Sequence, residues 1–289
     1  MKLQRNLSVT TAVCLAWFMG GHAHGQAPAS QETPKADETD KSGWQAFFRG
    51  MAGEYDIRLK SAADEKLKLL PKPILRWSQP VRGGDDGAVF LWLAKGRPAA
   101  VGTIFAWPDR DGLRVVQHEF HSLALEPLRA TFRDIDPWTP NRAGIELKEI
   151  PDSPAPADSA TQRMIQMRAL AREFTANSTD DKKGRWELRL MPQPVYRYEG
   201  LDDGSLLDGA LFVFAEGTDP EVFLVIEARR SGDVYQWQYA CARFSDFPLE
   251  VRHKDREVWQ VPRATINDRN QPHTYYVVEK RNPPKAEGK

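Results

Sequence analysis

The sequence predicts an α+β protein of two tandem related units, each a helix followed by an antiparallel β-meander, pairing into a larger sheet, sandwich or barrel. Three observations predict it. Residues 67–77 return as residues 188–198, with five of eleven positions identical at a shift of 121. Apolar residues at helical spacing open each copy, and strand-like alternation follows. The apolar runs are separated by four or five residues of Gly, Pro and Asp turn chemistry. Parallel strands would need crossovers of about a dozen residues or more, so the runs read as antiparallel hairpins.

The repeat extends well beyond that window. Asp86-Gly87-Ala88-Val89-Phe90 recurs as Asp208-Gly209-Ala210-Leu211-Phe212, Pro127-Leu128 as Pro248-Leu249, and Trp138 as Trp259. Such duplication constrains architecture, because each copy should build one supersecondary unit and bury it against the other.

Residues 1–27 read as a signal peptide. Lys2 and Arg5 supply a positive start, residues 7–20 are mostly apolar, and Gly25-Gln26-Ala27 is a small-x-small cleavage site. The apolar stretch falls short of the ~20 residues that a spanning helix needs, so no transmembrane segment is expected after cleavage. The expected location is exported, periplasmic or extracellular. Residues 28–41 are rich in Pro, Ala, Glu, Asp and Thr and read as a disordered leader.

The first unit spans 42–150. Ser42 and Gln45 form a capping-box pattern, with Trp44, Phe47, Phe48, Met51 and Tyr55 at helical spacing. Strand runs follow at 88–93, 101–107 and 113–123. Residues 151–158 are a Pro-rich linker. The second unit, 159–281, opens on Ser159 and Gln162 before Met164, Met167, Leu170, Ala171 and Phe174, with strand runs at 210–215, 222–228 and 234–243. Residues 282–289 read as a disordered tail.

Removing residues 1–27 takes away Lys2 and Arg5 only, leaving 38 basic residues against 40 acidic ones. A near-neutral chain lacks the basic footprint of nucleic-acid binding and the Lys/Arg run of an anionic-membrane binder. Nucleic acid is therefore not an expected partner. Cys241 is the one cysteine beyond the signal segment, and it alternates with Tyr235, Trp237 and Tyr239 on an aromatic strand face, where it reads as a core thiol.

Some charged positions match between the copies: Arg49/Arg168, Glu54/Glu173, Arg76/Arg197 and Asp86/Asp208. They read either as salt bridges and turns repeated in each unit, or, for Arg76 and Arg197, as a two-fold anion site. A guanidinium fork binds carboxylate or phosphate bidentately. The His cluster places Gln117, Glu119 and His121 on one strand face, with His118 and Phe120 on the other. Glu119 and His121 are the candidates for an acid–base pair or metal ligation. A third ligand is not apparent, His253 and His273 lie too far along the chain to assign, and no metal site is assigned. Gln117, Gln236 and Gln238 would be ligand contacts if their faces turn inward beside the aromatic residues, and a solvated face if they turn outward. Asp85-Asp86-Gly87 and Asp202-Asp203-Gly204 lack the oxygen spacing of a calcium loop and read as turns. No nucleophile elbow, phosphate loop or dinucleotide fingerprint occurs, and no cofactor follows.

The phrases His118-Glu119-Phe120-His121-Ser122-Leu123, Asp208-Gly209-Ala210-Leu211-Phe212 and Glu216-Gly217-Thr218-Asp219-Pro220 resemble those of exported proteins of planctomycete-type bacteria. The resemblance covers most of the mature chain and implies an envelope or extracellular setting without a particular reaction. The function expected first is non-catalytic: binding of a small ligand or an envelope component. The alternatives are a hydrolase or metal-dependent enzyme with one site in the first unit, and a structural or assembly protein.

Overall fold

Helix α1 (Glu38–Gly53) leads into β1 (Asp56–Leu59), β2 (Lys68–Leu69), β3 (Leu75–Gln79), β4 (Asp85–Ala94) and β5 (Arg97–Pro108). Then come β6 (Arg114–Ser122), β7 (Leu128–Phe132), β8 (Ile135–Trp138) and the short β9 (Lys148–Glu149). Helix α2 (Ala160–Ala171) precedes β10 (Phe174–Asp180), β11 (Gly184–Leu190), β12 (Tyr196–Glu199) and β13 (Leu206–Glu216). The remaining strands are β14 (Asp219–Ser231), β15 (Val234–Arg243), β16 (Leu249–His253), β17 (Arg256–Val261) and β18 (His273–Arg281). The structure, a computed structural model, describes residues 38–79, 85–181, 184–265 and 267–282. The expected signal peptide, most of the leader and nearly all of the tail lie outside the described residues.

The expected pair of helix-then-meander units is corrected by the strand pairing. The chain is mostly β, 54% strand against 11% helix, with a curled sheet and two helices among the described residues. Neither half closes its own sheet. A six-stranded sheet runs β18-β6-β5-β4-β2, with β3 also on β4, so its edge comes from the far end of the chain. The nine-stranded sheet runs β17-β16-β10-β11-β13-β14-β15-β9, with β12 also on β13, so one edge comes from before α2. A third, small sheet is β1-β7-β8. Period-two alternation selects the buried face of a strand but carries no information on which strand lies beside it.

Three apolar layers result. Trp44, Phe48, Met51 and Tyr55 of the α1 segment, with Ile57, Phe132 and Trp138, cover one face of the six-stranded sheet at Phe90, Trp92, Ile104 and Phe120. Met167, Leu170 and Phe174, with Val251, cover the nine-stranded sheet at Phe212, Leu224, Trp237 and Tyr239. Between the two sheets Val89, Leu91 and Val101 meet Leu211, Val213, Phe223 and Val225. Each long strand is thus apolar on both faces, because both faces are covered.

Local chemistry explains the ends. Ser159 caps α2 by accepting the Gln162 N–H at 3.2 Å. Helix α1 begins at Glu38, so Ser42 lies inside it rather than at its cap. Residues 151–158 are irregular but pinned: Gln166 Nε2 donates to the Ala155 carbonyl at 2.9 Å and Arg163 to the Ala157 carbonyl at 3.1 Å. Hairpins close on two-residue turns with positive φ at both positions: Lys95-Gly96 (48° and 92°), Arg133-Asp134 (46° and 64°) and Lys254-Asp255 (47° and 66°). That backbone matches the right-handed strand twist.

Two glycines are required by close approach. Trp77 lies opposite Gly87, and Tyr198 opposite Gly209. A Cβ on Gly209 would fall 2.3 Å from the Tyr198 ring, and one on Gly87 2.4 Å from the Trp77 ring. Gly209→Ala should therefore cost about 1–3 kcal/mol by overpacking, read as a lower urea midpoint with an unchanged slope. An unchanged midpoint would show that the ring can tilt away freely.

Candidate functional site

Strand alternation sends Glu119 and His121 of β6 and Glu221 of β14 into the layer between the two large sheets, where charged side chains need partners. Glu119 is 4% exposed and meets His273, the first residue of β18, with Nε2 to Oε1 at 2.7 Å. His121 and His273 lie 5.8 Å apart between ring centroids, and His121 Nε2 meets the Gly144 carbonyl at 3.2 Å. Gly144 itself is packed on Ser122, where a Cβ would fall 1.8 Å from the carbonyl oxygen. Among the described residues, the Nδ1 atoms of both imidazoles and Oε2 of Glu221 are buried without a hydrogen-bond partner.

Burial sets the protonation of this cluster. It pushes Glu119 up to about 8, with Tyr275 hydrogen bonding acting in the opposite direction. It raises Glu221 as well, helped by Asp219. His273 is pushed down to about 3 by burial and then by Arg243, and His121 is lowered by burial and then by His273. Near neutrality the imidazoles are uncharged and Glu119 carries its proton, so Glu119 and His273 form a neutral pair sharing one hydrogen bond.

A cavity of about 700 Å³ opens beside this pair. Its deep lining is His121, His273, Tyr239, Cys241 and Arg243, all buried, and its walls are residues 142–146 with Lys148, β17 at Trp259, residues 261–265, Asp268 and residues 271–272. Arg243 spans the depth and the wall: Nε donates to the Ser245 carbonyl at 2.9 Å, Nη1 to that of Pro262 at 2.9 Å and Nη2 to that of Phe247 at 2.7 Å. At the rim, Arg142 donates to Gln271 Oε1 at 2.8 Å. Lys148 Nζ is 4.0 Å from Glu146.

The residues singled out by sequence fall in different places. Glu119 and His121 share a face, as alternation requires, but the partner of Glu119 is His273, 154 residues away. His118 lies on the opposite face, its Nδ1 2.5 Å from the Tyr55 hydroxyl, and burial pushes it down to about 3. Arg197 is occupied by the chain's own anion: it reaches Asp208 Oδ1 at 3.0 Å and Oδ2 at 2.6 Å, while Arg163 holds the same carboxylate at 2.8 Å. Arg76 stands exposed on β3, across the ladder from Ala88. Gln117 accepts from Trp107 Nε1 at 3.2 Å, and Gln236 and Gln238 are half-buried on β15; none of the three lines the cavity. Among the described residues no group of three or more His, Cys, Asp and Glu is placed to hold a metal ion, and no helix is long and apolar enough to cross a membrane.

Cys241 packs with Trp237 and Tyr239 in the core beneath α2, and burial pushes its thiol up to about 12. A thiol so held is unreactive because the thiolate is the nucleophile. Cys241 should be inert to a disulfide reagent in the native state and titrate fully in denaturant. Rapid native labelling would contradict its burial.

His273 and Arg243 are the site residues that sequence reasoning passed over. The alternation of His273, Tyr275 and Val277 with Thr274 and Tyr276 after Pro272 marks a strand, but nothing in it names the neighbouring strand. Arg243 had no signal beyond ending an aromatic strand. No protein-family model, curated protein or solved structure matches this chain.

Proposed function

We propose that this chain is an exported, non-catalytic binding protein whose small ligand, free or presented by an envelope component, sits in the cavity between residues 142–148, β15 and residues 261–265 and 271–273. The observation that carries the reading is the cavity's deep lining. It combines apolar and aromatic surface with a few fixed polar groups, the composition of a ligand pocket. Its volume of about 700 Å³ is in the range of small-molecule sites. The titratable groups there are set for holding rather than for turnover. His121 and His273 are kept neutral, and the Cys241 thiol is kept protonated. Glu119 is engaged with His273. The export signal read from residues 1–27 supports the setting.

Native mass spectrometry of residues 28–289 purified from the source envelope or medium tests this. The expected result is one bound small molecule, lost in an Ala264→Trp variant that fills the cavity and keeps its melting temperature. A bare wild-type chain, or a bound mass indifferent to Ala264→Trp, would overturn it.

A further inference from the structure

The cavity contains a buried cation without a carboxylate. Arg243 is 8% exposed, and three of its five N–H groups go to backbone carbonyls. No carboxylate oxygen pairs with it within 4.0 Å among the described residues. The other buried arginines are treated differently: Arg97 has Glu227 at 2.8 Å and Arg163 has Asp208 at 2.8 Å. Asp246, which acts on Arg243 from farther away, is committed to Arg263 at 3.1 Å. Glu119 acts on it too, but burial keeps that carboxyl protonated near neutrality. Carbonyl dipoles moderate a buried guanidinium without neutralising it, so the site keeps a positive potential focused into the cavity.

The rim carries three cations, Arg142, Lys148 and Arg263, against two anions, Glu146 and Asp268. Arg142 is bound by a neutral amide oxygen, and Lys148 reaches Glu146 only at 4.0 Å. Arg263 is already spent on acidic residues and stacks on Phe247 at 4.9 Å. Trp259 and Tyr239 line the same cavity with aromatic surface.

We infer that the cavity is an anion seat: it takes a small molecule bearing a carboxylate or phosphate, with the anionic group at Arg243 flanked by Arg142 and Lys148 and the apolar part against Trp259 and Tyr239. This rests on the cavity being the ligand site. Charge-assisted hydrogen bonds from a partly desolvated guanidinium are the strong kind, and its planar fork suits either anion.

Isothermal titration of residues 28–289 with phenylacetate, its neutral amide phenylacetamide and inorganic phosphate tests the inference, alongside the native mass measurement. Phenylacetate or phosphate is expected to bind and phenylacetamide at least about tenfold more weakly, with binding weakened by added salt. Arg142→Gln and Lys148→Gln, both at exposed positions, should each cost about tenfold or more. Arg243→Lys keeps the charge but loses the fork, and should weaken the anion while leaving the amide unchanged. Tighter binding of phosphate than of phenylacetate assigns the phosphoryl source; the reverse order assigns the carboxylate. If acid and amide bind equally in wild type and variants, the anion seat falls and the binding reading stands. If none of the three probes binds while a native bound mass is seen, the anion seat also falls alone. Failure of all three probes with a bare native mass overturns both.

Discussion

Replacing Glu227 with alanine should destabilise the fold by about 3–5 kcal/mol, the cost of leaving a buried charge without its partner. The carboxylate is fully buried in the layer between the sheets. It accepts from Arg97 Nε at 2.8 Å, Tyr198 Oη at 2.6 Å and Arg229 Nη1 at 2.9 Å. Arg97 is itself buried and fixed by the Pro98 and Leu123 carbonyls, so it cannot swing to water when the anion is removed. Glu227→Gln should also be costly, since it keeps a hydrogen-bonding shape but not the charge. Arg97→Met combined with Glu227→Leu should recover much of the loss, because an apolar replacement removes both desolvation costs together. Urea denaturation of the three variants measures this. A Glu227→Ala chain within ~1 kcal/mol of wild type would mean that the arginines reach solvent.

Stability should peak near pH 6.5 and fall on both sides. His118 and His273 are held neutral down to about 3, whereas an unfolded imidazole titrates at 6.5. The unfolded chain therefore binds more protons below 6.5, and stability drops as pH falls from there to about 3. Each imidazole contributes about 1.4 kcal/mol per pH unit. His121 adds a third in the same direction. Glu119 works oppositely: its carboxyl keeps the proton to about 8 against 4.5 unfolded, so stability is lost as pH rises across that interval. Glu221 shares that direction. Between 4.5 and 6.5 the two imidazoles of His118 and His273 outweigh the Glu119 carboxyl, and above 6.5 the carboxyl acts alone. Surface carboxylates held low by arginines, such as Glu54 by Arg133, steepen the acid loss only below 4.5. Unfolding free energies from pH 3 to 9 check the profile, and His118→Gln should remove one proton from the acid slope. A flat profile would mean that these groups are hydrated in the folded state.

The parts legible in the sequence are those set by residues near one another. Met167, Leu170 and Ala171 at helical spacing behind Ser159 mark α2, and the apolar runs around Val89, Val101, Leu211 and Val225 mark the long strands. Lys95-Gly96 marks its hairpin by turn chemistry, and Gly96 takes a φ of 92° there. Strand neighbours are set by long-range packing, so β18 beside β6 and β9 beside β15 were out of reach. The site followed the same division. Alternation placed Glu119 and His121 on one face, but the groups that complete them, His273 and Arg243, arrive by pairing and by loop closure. Arg197 shows the converse: its matched counterpart Arg76 suggested a ligand, while the fold supplies Asp208 as its anion.

The exchange of edge strands bears on whether the halves can live apart. A cut anywhere in residues 151–158 would strip β18 from the fragment carrying β6, and β9 from the fragment carrying β15. The first fragment would keep Glu119 without its imidazole and expose the unpaired edge of β6, a template for aggregation. Its ladder with β18 joins residues more than 150 positions apart, a loop whose closure is slow. The two halves are thus obligate companions, and a newly made chain cannot finish its first sheet until residues 273–281 have emerged from the ribosome.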